Sequence, residues 1–164
     1  MKVVALQTEI VQPGEDILVF LRKSIRSLEE KSILVITSKI ISFAQNRFVE
    51  VGDNLDKDQA KKEKHELAKQ EADLYLEPSL SKYGVMLTIK NSLLAVNAGI
   101  DESNSMGKYI LWPENLQQVT NNIWNFLRTS YGVKDLGIIV TDSKTALLRR
   151  GVTGTAVSYC GFNP

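Results

Sequence analysis

Two short stretches gather oxygen donors. One is Asn97-Ala98-Gly99-Ile100-Asp101-Glu102-Ser103-Asn104, and the other is Asp142-Ser143, which follows the apolar run Leu136-Gly137-Ile138-Ile139-Val140-Thr141. Carboxylates and a hydroxyl held at strand ends are the hard ligands that Mg²⁺ or Mn²⁺ prefers, with phosphate oxygens completing an octahedron. The same residue types serve as structural caps: Asp142 or Ser143 at the start of a helix, and Asp101 in an Asx turn. Spacing leaves both readings open. Arg149-Arg150, before Gly151-Val152-Thr153-Gly154-Thr155, offers guanidinium forks and backbone N–H groups to an anion, or else a charged turn leading into an edge strand. Thr37-Ser38-Lys39 ends another apolar run and is equally double-edged, because Lys39 is also the solvated charge expected where a strand stops.

Other chemistries find little to build on. There is no GxxxxGK[ST] loop and no GxGxxG after a strand, so P-loop and dinucleotide-fingerprint readings fail. His65, the only histidine, lies among Lys64, Glu66 and Lys69 and reads as a solvated surface residue. Cys160, the only cysteine, has no histidine near it in sequence and reads as a small core residue, which also rules out an intrachain disulfide and suits a reducing cytoplasm. Twenty basic and nineteen acidic side chains leave a formal charge of +1, too little to draw nucleic acid or an anionic membrane, so any phosphate site is local. No apolar run is long enough to cross a bilayer, and the expected protein is soluble.

The elements that must hold these residues follow from periodicity. Lys2 to Gln7 reads as a first strand, and Gln12-Pro13-Gly14-Glu15-Asp16 as a turn and helix start. Ile17, Leu18, Leu21, Ile25 and Leu28 recur at helical spacing. Ile33 to Ile36 is a fully buried strand by composition. The mixed charges of Asp56 to Glu77, with Leu67, Ala68, Leu74 and Tyr75 as a weak stripe, predict an exposed helix. Tyr83–Lys90 and Ser92–Val96 predict a hairpin, and Pro113-Glu114-Asn115 opens a helix with Val119, Ile123, Phe126 and Leu127 on one face, closing near Gly132. Leu136 to Thr141 and Val152 to Tyr159 complete the strands, and Gly52 to Asp58 is a mobile connection. The 164 residues and 43% hydrophobic content are enough to bury a core. The alternation predicts an α+β (mixed α/β) fold, a mixed β-sheet with flanking helices, in a single domain over 1–164.

Taken in order, Gln12-Pro13-Gly14-Glu15-Asp16, Ile33-Leu34-Val35-Ile36-Thr37-Ser38-Lys39, the Asn97–Asn104 stretch and Gly137-Ile138-Ile139-Val140-Thr141-Asp142-Ser143, extended by Gly151 and Thr153-Gly154, resemble the coenzyme F420-0:L-glutamate ligase family, which adds γ-linked glutamates to a deazaflavin coenzyme. The resemblance implies GTP as phosphate donor, a divalent Mg²⁺ or Mn²⁺ held by Asp101, Asp142 and Ser143, K⁺ as a further cation, and nucleotide contacts from Ser38, Lys39, Asn104 and Arg149. It implies L-glutamate and a carboxylate-bearing acceptor as substrates, an acyl phosphate on the way to the amide, a homodimer, and no nucleic-acid or membrane partner. The chain departs from the family pattern at Phe43, where relatives carry a lysine. It departs again at Lys144-Thr145-Ala146-Leu147-Leu148-Arg149, where they read Phe-Gly-Arg-Pro-Trp-Arg. Relatives also usually continue beyond the position matched by Pro164. Two further readings therefore stand beside the ligase: a catalytically inactive nucleotide/metal-binding or regulatory remnant of the fold, and a folate-type polyglutamylating enzyme.

Overall fold

The computed structural model describes residues 2–52, 54–144 and 148–164. In chain order the elements are α1 (Ile17–Ser24), β1 (Ser32–Thr37), α2 (Ser38–Ala44), β2 (Phe48–Glu50), α3 (Lys57–Glu71), β3 (Leu74–Leu76), β4 (Leu87–Lys90), β5 (Leu93–Val96), β6 (Lys108–Ile110), α4 (Leu116–Tyr131), β7 (Leu136–Lys144) and β8 (Thr153–Cys160). This is the mixed α+β composition with a mixed sheet and flanking helices that the pattern predicts. The chain divides into two compact units, residues 1–46 with 113–164 and residues 47–112.

The first unit is built on a sheet of order β1-β7-β8, with β1 parallel to β7 and β8 antiparallel to it. Ile33 pairs with Gly137, Val35 with Ile139, and Ile139 with Tyr159 across the ladder. Because side chains alternate along a strand, one face carries Ile36, Ile138 and Val140. These residues are buried together with Ile123 and Leu127 of α4, which packs on β7 and β8. Asp16 caps α1 by accepting from the backbone N–H groups of Leu18 and Val19 at 2.8 and 3.3 Å. Gly132, at φ +67°, ends α4 with a left-handed cap that a glycine adopts without a Cβ penalty. The buried α4 face is Leu116, Thr120, Ile123 and Leu127, which keeps Ile123 and Leu127 of the predicted stripe and leaves Val119 and Phe126 half-buried beside it.

Several expectations are corrected here. Residues 2–11 join no strand among the described residues, since Val3, Val4 and Ile10 are 83, 63 and 76% exposed and no neighbouring ladder meets them. The α1 helix stops at Ser24, where Ile25 turns extended while its N–H still closes on the Leu21 carbonyl. β1 is not buried on both faces: Ile33 and Val35 are 55 and 58% exposed, because an apolar run reads the same whether one face is covered or two.

The second unit joins an antiparallel pair, β2 with β6, to a meander of order β3-β4-β5. Its core is Ala68, Met86, Ala98, Ile100, Tyr109 and Leu111. Asp56 and Gln59 form a reciprocal capping box at the start of α3, which fixes this mostly charged helix in place despite its weak apolar stripe. The helix ends at Glu71 rather than Glu77. Leu74-Tyr75-Leu76 instead pairs with β4, a tertiary partner that local charge pattern does not reveal. The predicted hairpin is present from Leu87, with Asn91 and Ser92 at φ 50° and 62° forming its two-residue turn. Residues 51–52 and 54–56 form the irregular connection before α3. No helix among the described residues is long and apolar enough to cross a membrane.

Candidate functional site

Asp142 and Ser143 lie inside β7, not beyond its end, as β8 extends the ladder by pairing Thr155 with Asp142 and Gly154 with Ser143. Neither residue caps a helix. A register shift between Val140 and Thr141 bends the strand just before them, a device that re-aims side chains at a sheet rim. Asp142 is half-buried and Ser143 exposed. Thr37 ends the neighbouring strand and Ser38 opens α2, with its side chain buried at 4% exposure. The Ser38 hydroxyl donates to Asp142 Oδ1 at 3.4 Å, so residues 104 positions apart meet through the parallel β1/β7 pairing. Lys39, on the first turn of α2, is half-buried. Phe43 is a core residue of the same helix, 6% exposed, so that position contributes a packed ring and no cation.

Asp101 belongs to the second unit and is held by different means. It bridges to Ile110 through paired backbone hydrogen bonds, and its Oδ1 accepts from the Ser103 N–H and hydroxyl, both at 2.7 Å. The Asx-turn reading is therefore realised, and it coexists with a carboxylate held in one orientation. Glu102 in the same loop pairs with Lys64 of α3 at 2.5 Å, and Ser105 is buried, accepting from Lys108 N–H. Asn104 is exposed and left-handed at φ 53°. Arg149 is exposed, and Thr145 to Leu147, including Ala146, lie outside the described residues.

Upstream of Asp101, Asn97, Ala98 and Gly99 have φ of 49°, 54° and 75°, a left-handed turn that Asn and Gly accept and that Ala98 adopts at a cost. Ala98 is buried with its N–H on the Thr88 hydroxyl, and a Cβ at Gly99 would run into the Trp112 indole. Asn97 Oδ1 is buried and has no hydrogen-bond partner among the described residues. Sequence reading treats these three as an undifferentiated polar loop. The Asn-Ala-Gly order was the available signal, since Asn and Gly are the residues that accept positive φ.

The carboxylates of Asp101, in one unit, and of Asp142, in the other with the Ser143 hydroxyl, are each hard-oxygen donors of the kind that suits Mg²⁺ or Mn²⁺. No group of three or more His, Cys, Asp or Glu side chains able to hold a metal ion occurs among the described residues. Cys160 is a half-buried residue of β8 whose thiol is pushed up by burial, which argues against a nucleophilic role. His65 is half-buried rather than fully solvated.

The fold and these residues define a mixed α+β protein that presents oxygen donors and serine hydroxyls from its loops and strand rims. Its sequence matches the model of the F420-0:gamma-glutamyl ligase family over residues 5–164, and the chain belongs to that family. It is 28% identical over 159 residues to a coenzyme F420:L-glutamate ligase of Methanopyrus kandleri, covering 92% of this chain and 62% of that relative. It is 27% identical over 174 residues to the Methanosarcina barkeri protein of the same name, covering 100% and 68%, and 24% identical over 168 residues to one from Methanococcus maripaludis, covering 98% and 67%. The chain thus spans about two thirds of the length of these relatives, and less than that of the first.

Proposed function

We propose that this chain is a GTP- and divalent-metal-dependent γ-glutamyl ligase, joining L-glutamate by an amide bond to a carboxylate of F420-0 or a similar acceptor through an acyl phosphate. The observation that carries the reading is the Ser38–Asp142 hydrogen bond, which brings two of the four family stretches side by side in one unit. The names of the methanogen relatives support the same chemistry.

Asp101, Asp142 and Ser143 would hold the cation, and Ser38, Lys39, Asn104 and Arg149 would contact GTP, with K⁺ as a further cation. A bound divalent cation supplies charge neutralisation on the transferring phosphoryl group. The buried Ser38 hydroxyl orients the Asp142 carboxylate, and the Ser103 donors do the same for Asp101, so both are aligned before ligand arrives. The acceptor carboxylate oxygen takes the γ-phosphoryl group and GDP leaves. The glutamate amine then attacks the acyl carbon, the C–N bond forms, inorganic phosphate departs and the nitrogen loses its proton. A homodimer is supported by the uncovered Ile33, Val35 and the N-terminal Val3 and Val4. A cytoplasmic setting is supported by the single cysteine.

Incubation with GTP, Mn²⁺, L-glutamate and a deazaflavin acceptor tests this by mass spectrometry. The expected result is an acceptor heavier by one glutamyl residue with one GDP formed per amide, lost in Asp142→Ala. A second reading, a binding remnant without turnover, is favoured by the buried Phe43. Nucleotide and metal binding with no amide product from any acceptor carboxylate would establish it in place of the ligase.

A further inference from the structure

The α3 helix presents Asp58, Lys61, Lys62 and His65 at i, i+3, i+4 and i+7, which is one helical face. That face, with Pro78, Ser79 and Gly84 of the following turn, lines an open cavity of ≈ 360 Å³ within the second unit. The lysines of this helix are not alike. Lys64 pairs with Glu102 at 2.5 Å, and Lys69 with Glu66 and Glu77 at 3.1 Å each. Lys61 and Lys62 have no carboxylate partner among the described residues, and the Lys61 ammonium lies 2.9 Å from where a Cβ on Gly84 would stand. Gly84 sits at φ +59°, a left-handed conformation that a glycine adopts without a Cβ penalty, at the edge of this open cavity. The only histidine of the chain faces the same space.

We propose that this cavity is an oxyanion-binding site for a ligand with at least two negative charges, a phosphate ester or a short polycarboxylate. Two ammonium groups supply charge, the His65 ring N–H and the Ser79 hydroxyl supply directional donors, and Asp58 at the rim limits the site to ligands that meet the cations rather than the carboxylate. His65 is held below its ordinary value, first by burial and then by Lys61, Lys64 and Lys69, with Glu66 opposing. Pro78, Ser79 and Gly84 bring no titratable group. A bound dianion offsets that repulsion, so occupancy raises the His65 pKa. The site shares no residue with the metal and GTP set proposed above and does not depend on it.

The test is a ¹H–¹⁵N titration of the full chain without metal or GTP, using inorganic phosphate in one arm and tri-γ-glutamate in the other, each against chloride at matched ionic strength. The expected result is saturable shifts at the His65, Ser79 and Gly84 amides and an upward move of the His65 titration midpoint. Lys61→Gln and Lys62→Gln should each weaken binding about tenfold, the value of one charge-assisted hydrogen bond. Lys57→Gln, on the same helix but outside the cavity, should leave it unchanged. Saturation by phosphate alone assigns a phosphate ligand, and by the peptide alone a polycarboxylate. Equal shifts with chloride, an unmoved His65 midpoint, or equal weakening by Lys57→Gln would overturn the proposal. All three exposed lysines lie on the outside of α3, and circular dichroism of each variant checks that the helix is retained.

Discussion

Asp101 and Asp142 are both half-buried aspartates in family stretches, yet the molecule holds them in contrasting ways. Asp101 is fixed locally: its carboxylate accepts from Ser103 two residues on, within a loop whose left-handed entry is set by Asn97, Ala98 and Gly99. Asp142 is fixed by topology, since the parallel pairing of β1 with β7 sets Thr37 opposite Thr141 and so brings Ser38 to the residue that follows. The units around them differ in the same sense. The 47–112 unit carries charge inward: one Glu71 oxygen accepts from Arg47 at 2.5 Å and from Lys90, which is 8% exposed. The other unit has an apolar interior under α4 and leaves Ile33 and Val35 of its sheet uncovered. One carboxylate therefore depends on nearby sequence, and the other on the integrity of a sheet.

That contrast can be broken at its strongest point first. Glu71→Ala removes the carboxylate that Arg47 and Lys90 share in the second unit and should cost about 3–5 kcal/mol in urea unfolding, a loss that a purely apolar core would not show. Ile138→Ala, under α4, should cost about 2–5 kcal/mol by leaving a cavity. It should also disturb the Asp142 carboxylate, read from its own NMR signals, whereas an equally destabilising change in the second unit's core, Met86→Ala, should disturb Asp101 instead. Ser38→Ala and Ser103→Ala each remove one anchor and should cost about 1 kcal/mol or less in stability. Their effect on Mn²⁺ affinity, measured by paramagnetic broadening, is the sharper readout.

The smallest effect expected is an acid one. Glu30 accepts the backbone N–H groups of Lys134 and Asp135 at 2.8–3.1 Å, and the Asp135 N–H first, then that of Lys134, holds its carboxyl below the usual 4.5. Its folded value lies under its unfolded one, so its contribution is complete above pH 4.5 and fades as pH falls through the depressed value. In Glu30→Gln this part of the acid limb of the stability curve should vanish.

Residues whose partners lie close in sequence were legible. The Asp56 start of α3, the hairpin after Lys90 (its turn one residue later than the pattern places it, at Asn91-Ser92) and the Gly132 stop all follow from local chemistry. Features decided by distant partners were not. Leu74 to Leu76 looked like helix until β4 supplied a ladder, and Asp142 looked like a strand end until β8 extended the pairing. The one-sided burial of β1 is not legible either, because Ile33 to Ile36 carries no mark of which face finds a cover. For the candidate site, residue types were readable from the sequence, and so was the Asx turn at Asp101. The Ser38–Asp142 hydrogen bond was not, since it is created by strand order.

The measurement closest to the central claim is thermal unfolding with GTP and Mn²⁺, separately and together, in the parent chain and in Asp101→Ala and Asp142→Ala. At a hundredfold excess over its dissociation constant, a ligand that binds only the native state stabilises by about 2.7 kcal/mol. Tm should rise only when nucleotide and metal are present together, and in neither variant. A rise that survives either substitution, or no rise at all, would contradict that claim.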